Sequence, residues 1–82
     1  MPRIIDGNSC NIIGGKLKKA RLTRSMSQEQ LARKLETYAV YICRGSISRI
    51  ESGERTVTDI EIDGLSKALG VSLGYLFGLE PK

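Results

Sequence analysis

The side chains best suited to chemistry in this sequence cluster between residues 44 and 52. Arg44 and Arg49 stand out because a planar guanidinium can donate two hydrogen bonds together to O6 and N7 of guanine, which discriminates between bases by about 1–3 kcal/mol. Gly45 carries no side chain, so it permits close approach of the backbone to a bound molecule. The candidates for contact with base edges are Arg44, Gly45, Ser46, Ser48 and Arg49, with Ser46 also able to contact a phosphate.

Other kinds of chemistry find little support in the composition. The 82 residues include no histidine and two cysteines, Cys10 and Cys43, so neither a disulfide framework nor a four-ligand Cys/His zinc site can form. The sequence also has no glycine-rich phosphate loop and no nucleophile with an evident base. These observations predict a protein that is not an enzyme and that needs no metal or cofactor.

The net charge of +4 is unevenly distributed. Residues 1–55 contain 11 basic and 5 acidic side chains, whereas residues 56–82 contain 2 basic and 4 acidic ones. Positive charge thus surrounds the arginine cluster, which suits a polyanion, although charge alone more often marks a solvated surface. No apolar run approaches the roughly 18 residues of a membrane span and no secretory signal is evident, so we expect a cytoplasmic protein without a membrane partner.

Five predicted helices position the arginine cluster. The clearest start is a capping box at Ser27, whose hydroxyl and the Gln30 side chain can satisfy backbone amides reciprocally, and Thr58 with Glu61 repeats it. Apolar periodicity predicts helices over about residues 12–24, 27–36, 44–52, 58–69 and 72–77, with a turn of six to eight residues before the third. The prediction is an all-α, compact five-helix domain at 12–78, with an arm at 1–11 and a tail at 79–82.

Two short helices, supported by apolar helices on both sides, form the layout of a helix-turn-helix. Here the sequence resembles the helix-turn-helix domain of phage repressors and Cro, also called the xenobiotic-response-element type. The resemblance covers about residues 12–78 and rests on MSQEQLA at 26–32, ISRIESGER at 47–55 and ALGVSL at 68–73. Eleven residues separate Leu35 from Ile47, about five more than is usual in the family. In this respect the chain resembles a subset of the family with a lengthened turn. The longer turn leaves the placement of the third helix open.

The resemblance implies roles for residues outside the cluster. The third helix would lie in the major groove of DNA with its first residues at the base edges. Gln28 matches the family position that binds a DNA phosphate at the positive end of its helix, and Arg21 and Glu51 match positions that form an internal ion pair. Further phosphate contacts are expected from basic side chains that can equally be solvated: Lys16, Lys19, Arg24, Arg33 and Arg55.

The function implied by the resemblance is a sequence-specific transcriptional regulator that binds double-stranded DNA and represses from a palindromic operator as a homodimer. The alternative is an antitoxin or adaptor that binds another protein through the same fold. The dimer surface is left open between two groups of residues: Tyr75, Leu76, Phe77 and Leu79 near the C-terminus, and Tyr38 and Tyr41 in the turn. A lowered thiol pKa at the start of the third helix would also permit redox control through Cys43.

Overall fold

Five α-helices make up most of residues 9–79, the part of the chain that the computed structural model describes. The helices are α1 (Gly14–Thr23), α2 (Gln28–Glu36), α3 (Arg44–Glu51), α4 (Asp59–Leu69) and α5 (Leu73–Leu76). Residues 9–79 contain no strand, so the predicted all-α, five-helix fold is confirmed. Residues 1–8 of the predicted arm and 80–82 of the tail lie outside the described residues. None of the described helices is long and apolar enough to cross a membrane.

Reciprocal capping boxes begin α2 and α4, as the sequence predicts. Ser27 Oγ accepts a hydrogen bond from the Gln30 backbone N–H at 3.0 Å, and the Gln30 side chain accepts one from the Ser27 N–H at 2.8 Å. Thr58 and Glu61 form the same pair of bonds at 3.2 and 3.0 Å. Each box satisfies two amides that lack a partner within the helix, so these two helix starts are determined locally.

The start of α1 depends instead on residues far away in the sequence. The Asn11 side-chain oxygen accepts hydrogen bonds from the backbone amides of Ile13 and Gly14. Its Nδ2 donates to the carbonyl oxygens of Ile50 at 3.0 Å and Arg55 at 2.8 Å. The Cys10 N–H donates to the Gly53 oxygen at 2.7 Å. Residues 10 and 11, which the sequence places in the arm, therefore join the start of α1 to the end of α3.

One apolar core is formed by side chains from every helix. Its members are Ile13, Leu17, Ala20, Leu31, Leu35, Val40, Ile42, Ile47, Ile50, Leu65, Ala68, Leu69 and Leu76. Within this core α3 packs against α1 and α2 and buries Ile47 and Ile50 completely. The helix is therefore supported along one face and open to solvent along the other.

The turn between α2 and α3 spans seven residues, 37–43, which agrees with the predicted length. Val40 and Ile42 in this turn are buried in the core. Val40 packs so closely on Gly64 of α4 that a methyl group at Gly64 would approach Val40 Cγ2 at 2.6 Å. Ala39 takes a positive φ of 60°, which non-glycine residues seldom adopt. The turn is thus anchored to α4 four residues before α3 begins.

Candidate nucleic-acid interface

The outer face of α3 carries the residues predicted to contact base edges. Four of the five are exposed: Arg44, Gly45, Ser48 and Arg49. Ser46 is half-buried, and Ile47 and Ile50 are buried on the opposite face. The helix therefore presents two guanidinium groups to solvent, while its buried face holds it in place.

The first turn of α3 is electropositive and accessible. Cys43 precedes the helix as its N-cap residue, is exposed, and hydrogen bonds through Sγ to Ser46 Oγ at 3.5 Å. The side chain and backbone amide of Ser46 lower the pKa of the Cys43 thiol, and the positive charge of Arg49 lowers it further. The side chain of Arg49 thus acts at the start of the helix, where an anion would also meet the positive end of the helix dipole.

A buried ion pair joins α1 to α3. Arg21 Nε donates to Glu51 Oε2 at 2.6 Å and Arg21 Nη2 donates to Glu51 Oε1 at 3.0 Å, while Nη1 donates to the Met26 carbonyl oxygen at 2.8 Å. The Arg21 and Glu51 side chains are only 8% and 4% exposed. The structure therefore brings together the two residues expected to pair, in the two-pronged geometry that compensates a buried carboxylate.

Gln28, the residue expected to bind a phosphate, is the first residue of α2 and is half-buried. Its Nε2 donates to Glu51 Oε1 at 3.0 Å, so the same carboxylate links α1, α2 and α3. This hydrogen bond holds the side chain of the first residue of α2, where the first backbone amides have no acceptor within the helix. The start of α2 therefore offers N–H donors and a partial positive charge, the combination that binds phosphate.

Arg55 follows α3 and is held by α4. Its Nη1 and Nη2 donate to the two carboxylate oxygens of Glu61 at 3.1 and 3.0 Å. The pairing lowers the pKa of the Glu61 carboxyl and raises the pKa of Arg55. The ion pair with Glu61 thus fixes the Arg55 guanidinium against the start of α4.

The other basic side chains expected to contact phosphates are directed elsewhere or stand alone. Lys16 Nζ lies 5.3 Å from the centre of the Tyr75 ring in α5, a cation–π contact. Arg24 Nη2 donates to the carbonyl oxygen of Gly70, the C-cap residue of α4, at 3.4 Å. Lys19 is exposed on α1, and Arg33 is exposed on α2 in an ion pair within its own helix. The structure thus directs Lys16 toward α5 and Arg24 toward the end of α4, whereas Gln28 and Arg55 are held by the carboxylates of Glu51 and Glu61.

Two contacts that position the interface could not be predicted from the sequence, those of Asn11 with the end of α3 and of Glu61 with Arg55. Asn11 ties α1 to the end of α3, and the asparagine three residues before Gly14 is a type favoured at helix starts, so a weak signal was present. The sequence predicts the capping role of Glu61, but nothing in the spacing of Arg55 and Glu61 indicates that the same carboxylate also binds the arginine.

Comparison with known proteins agrees with this geometry. The sequence profile of the helix-turn-helix family matches residues 17–76, which include at least part of every helix. The chain belongs to the Cro/C1-type helix-turn-helix family. This helix-turn-helix protein is 43% identical over 61 residues to control protein C.BamHI of Bacillus amyloliquefaciens, an alignment that covers 73% of this chain and 69% of the relative.

A second relative, control protein C.MunI of a Mycoplasma species, is 35% identical over 65 residues, covering 78% of this helix-turn-helix protein and 81% of the relative. No solved structure gives a significant match. In the helix-turn-helix protein described here, α2 and α3 are the two helices of the motif, joined by the lengthened turn. It is a DNA-binding regulator of transcription.

Proposed function

We propose that this helix-turn-helix protein represses transcription by binding a palindromic operator as a homodimer. The observation that carries the proposal is the exposure of Arg44 and Arg49 on the one face of α3 that the core leaves open. In the major groove, the first turns of α3 would bring both guanidinium groups to base edges, and Arg44 would enter first. Ser48 and the close approach that Gly45 allows would complete the contact.

Phosphate contacts would fix the orientation of α3 in the groove. We expect these contacts from Gln28 at the start of α2 and Arg55 after the end of α3, each of which is oriented by a carboxylate, Glu51 or Glu61. Contacts of this kind determine register and affinity without reading sequence. Lys16, Lys19 and Arg24 would add long-range attraction from α1, in keeping with the excess of positive charge in residues 1–55.

A homodimer would match the two-fold symmetry of a palindromic operator. Leu73, Phe77 and Leu79 at the C-terminal end are exposed apolar side chains, whereas Leu76 between them is buried in the core. Apolar residues that the core does not use supply a surface for a second copy. Such a dimer would have to place its two α3 helices about 34 Å apart, one turn of DNA.

Selection of bound sequences from a random DNA pool tests the proposal. The expected outcome is a palindromic consensus, with binding that weakens steeply as salt concentration rises. Arg44→Ala and Arg49→Ala are expected to lose preference at defined base pairs, each at a cost of about 1–3 kcal/mol. Lys67→Ala on α4 is the matched control and should bind as wild type.

Two results would count against these assignments. Uniform weakening across all sequences in both arginine variants would reassign the two side chains to phosphates. Equal binding of selected and random duplexes by the wild-type chain would instead favour the adaptor or antitoxin, whose main partner is another protein. Analytical ultracentrifugation of the operator complex measures the number of copies, and one copy per operator would exclude the homodimer.

A further inference from the structure

The lengthened turn places an exposed aromatic side chain beside the start of α3. Tyr41 is 76% exposed, more than any other aromatic residue between positions 9 and 79. It lies two residues before Cys43, the N-cap of α3. An apolar ring this far in water does not contribute to the core, so its position calls for a different explanation.

The outward direction of Tyr41 is imposed by its neighbours. Val40 and Ile42, on either side of it, are both buried in the core, and side chains alternate in direction along an extended chain. The Val40 N–H also donates to the Leu35 carbonyl oxygen at 3.1 Å, and the Val40 side chain packs against Gly64 of α4. Because the chain is anchored on both sides of Tyr41, the tyrosine is held at the surface before any partner arrives.

The same geometry brings Tyr41 close to the residues proposed to enter the major groove. Three residue steps separate Tyr41 from Arg44, and an extended chain covers at most about 10 Å in that distance. The major groove is about 12 Å wide and is bordered by the two phosphate strands. If the first turn of α3 enters the groove, the chain just before it must pass beside one of those strands.

We propose that the Tyr41 hydroxyl donates a hydrogen bond to a DNA phosphate next to the base pairs read by Arg44. Tyrosine hydroxyls are among the groups that bind phosphate oxygens in protein–DNA complexes. No hydrogen bond joins this hydroxyl to a residue between positions 9 and 79, and Arg44, three residues away, carries a positive charge. The contact rests on the proposed DNA-binding mode and gives the lengthened turn a role in it.

A second copy of the chain is the competing occupant of this surface, and charge disfavours it. Two-fold pairing through Tyr41 would bring the Arg44 side chains of both copies together, since three residues separate them from the tyrosine. Like charges held close repel each other, and the pairing would also cover the open face of α3. DNA phosphates complement the same charges.

Binding measurements with Tyr41→Phe, which keeps the ring and removes the hydroxyl, test the contact. We expect about tenfold weaker binding to the selected operator and to random duplex alike, because a phosphate contact carries no sequence information. The dependence of affinity on salt concentration should stay unchanged, since no charge is removed. Tyr38→Phe, in the same turn, is the matched control and should bind as wild type.

A double-mutant cycle can locate the phosphate. Neutral methylphosphonate is placed at one position at a time in the operator, and each duplex is measured with wild type and Tyr41→Phe. At one phosphate per half-site, the modification should weaken wild-type binding but leave the variant unaffected, so that the two changes are not additive. Additive effects at every phosphate, or wild-type affinity in Tyr41→Phe, would overturn the proposal.

These measurements distinguish failure of the proposed tyrosine contact from failure of the proposed sequence-specific regulator on which it rests. Wild-type protein that binds selected and random duplexes alike refutes the specific regulator, while the weakening by Tyr41→Phe is still expected on random DNA. An operator-specific wild type with an unchanged Tyr41→Phe refutes the tyrosine contact alone, and a chain that binds no duplex refutes both. A Tyr41→Ala variant with altered sedimentation in the absence of DNA would assign the surface to self-association instead.

Discussion

Gly14 and Gly15 stand side by side at the start of α1 and are expected to respond in opposite directions to the same substitution. A Cβ atom at Gly14 would overlap the Ile50 carbonyl oxygen and lie 3.0 Å from the Glu51 oxygen, both backbone atoms at the end of α3. A Cβ atom at Gly15 would have no neighbour within 4 Å. Gly14→Ala therefore forces α1 away from α3, whereas Gly15→Ala meets only solvent.

The structure allows the size of both effects to be worked out. Alanine is favoured over glycine within a helix by about 0.5–1 kcal/mol, so Gly15→Ala should raise the free energy of unfolding by about that amount. Gly14→Ala has the same gain, but overpacking against backbone atoms costs about 1–3 kcal/mol. The displacement also loosens the hydrogen bond from Asn11 to Ile50, which contributes about 1 kcal/mol. The net expectation is a loss of about 2 kcal/mol, or a Tm lower by roughly 8–16 °C.

Thermal and urea unfolding of the two variants beside wild type measure this contrast. Operator affinity measured well below both Tm values adds a functional readout, because Gly14→Ala shifts the end of α3 and should weaken binding, whereas Gly15→Ala should bind as wild type. If Gly14→Ala proves as stable as Gly15→Ala, then α1 and α3 do not approach each other as described, and the account of how α3 is held fails.

Three further predictions concern charged and capping residues. Arg21→Ala leaves the Glu51 carboxylate buried without its positively charged partner and should cost about 3–5 kcal/mol in urea unfolding without changing base preference in the folded fraction. The folded-state pKa of Glu61 is lowered, chiefly by its hydrogen bond from Arg55, so its contribution exists above the ordinary glutamate pKa and disappears as pH falls through the folded value. The Tm difference between wild type and Glu61→Gln should therefore be present at neutral pH and shrink in acid, and a pH-independent difference would contradict it. Ser27→Ala should lower the free energy of unfolding by about 1 kcal/mol, and unchanged unfolding would mean that the capping box contributes nothing.

Local signals explain why much of the fold could be predicted from the sequence. The Ser27 and Thr58 capping boxes act within four residues, so the patterns themselves contain the physical cause of the helix starts. The inward faces of α1 and α3 follow from apolar spacing in the same way. The order and approximate bounds of all five helices could therefore be derived without coordinates.

The contacts that the sequence did not reveal join residues far apart in the chain. Asn11 reaches across 39 residues to Ile50, and the Gln28 amide reaches across 23 residues to the Glu51 carboxylate. Val40 and Ile42 looked like residues of an irregular turn, but their burial depends on α4, which no local pattern brings to them. The candidate base contacts could be assigned to a helix face, but the choice of base belongs to the complex with DNA.

The hydrogen bonds from Asn11 to Ile50 and Arg55 affect how the chain folds as it is synthesised. Ribosomes add roughly 5–20 residues per second, so Arg55 is joined to the nascent chain about 2–9 s after Asn11. Until the end of α3 has emerged, the Asn11 side-chain amide lacks the carbonyl oxygens to which it donates in the folded protein. A short isolated helix such as α1 is only marginally stable in water. We therefore expect α1 to become stable only after α3 has been synthesised, and a ribosome stalled before α3 is exposed should carry a protease-sensitive chain.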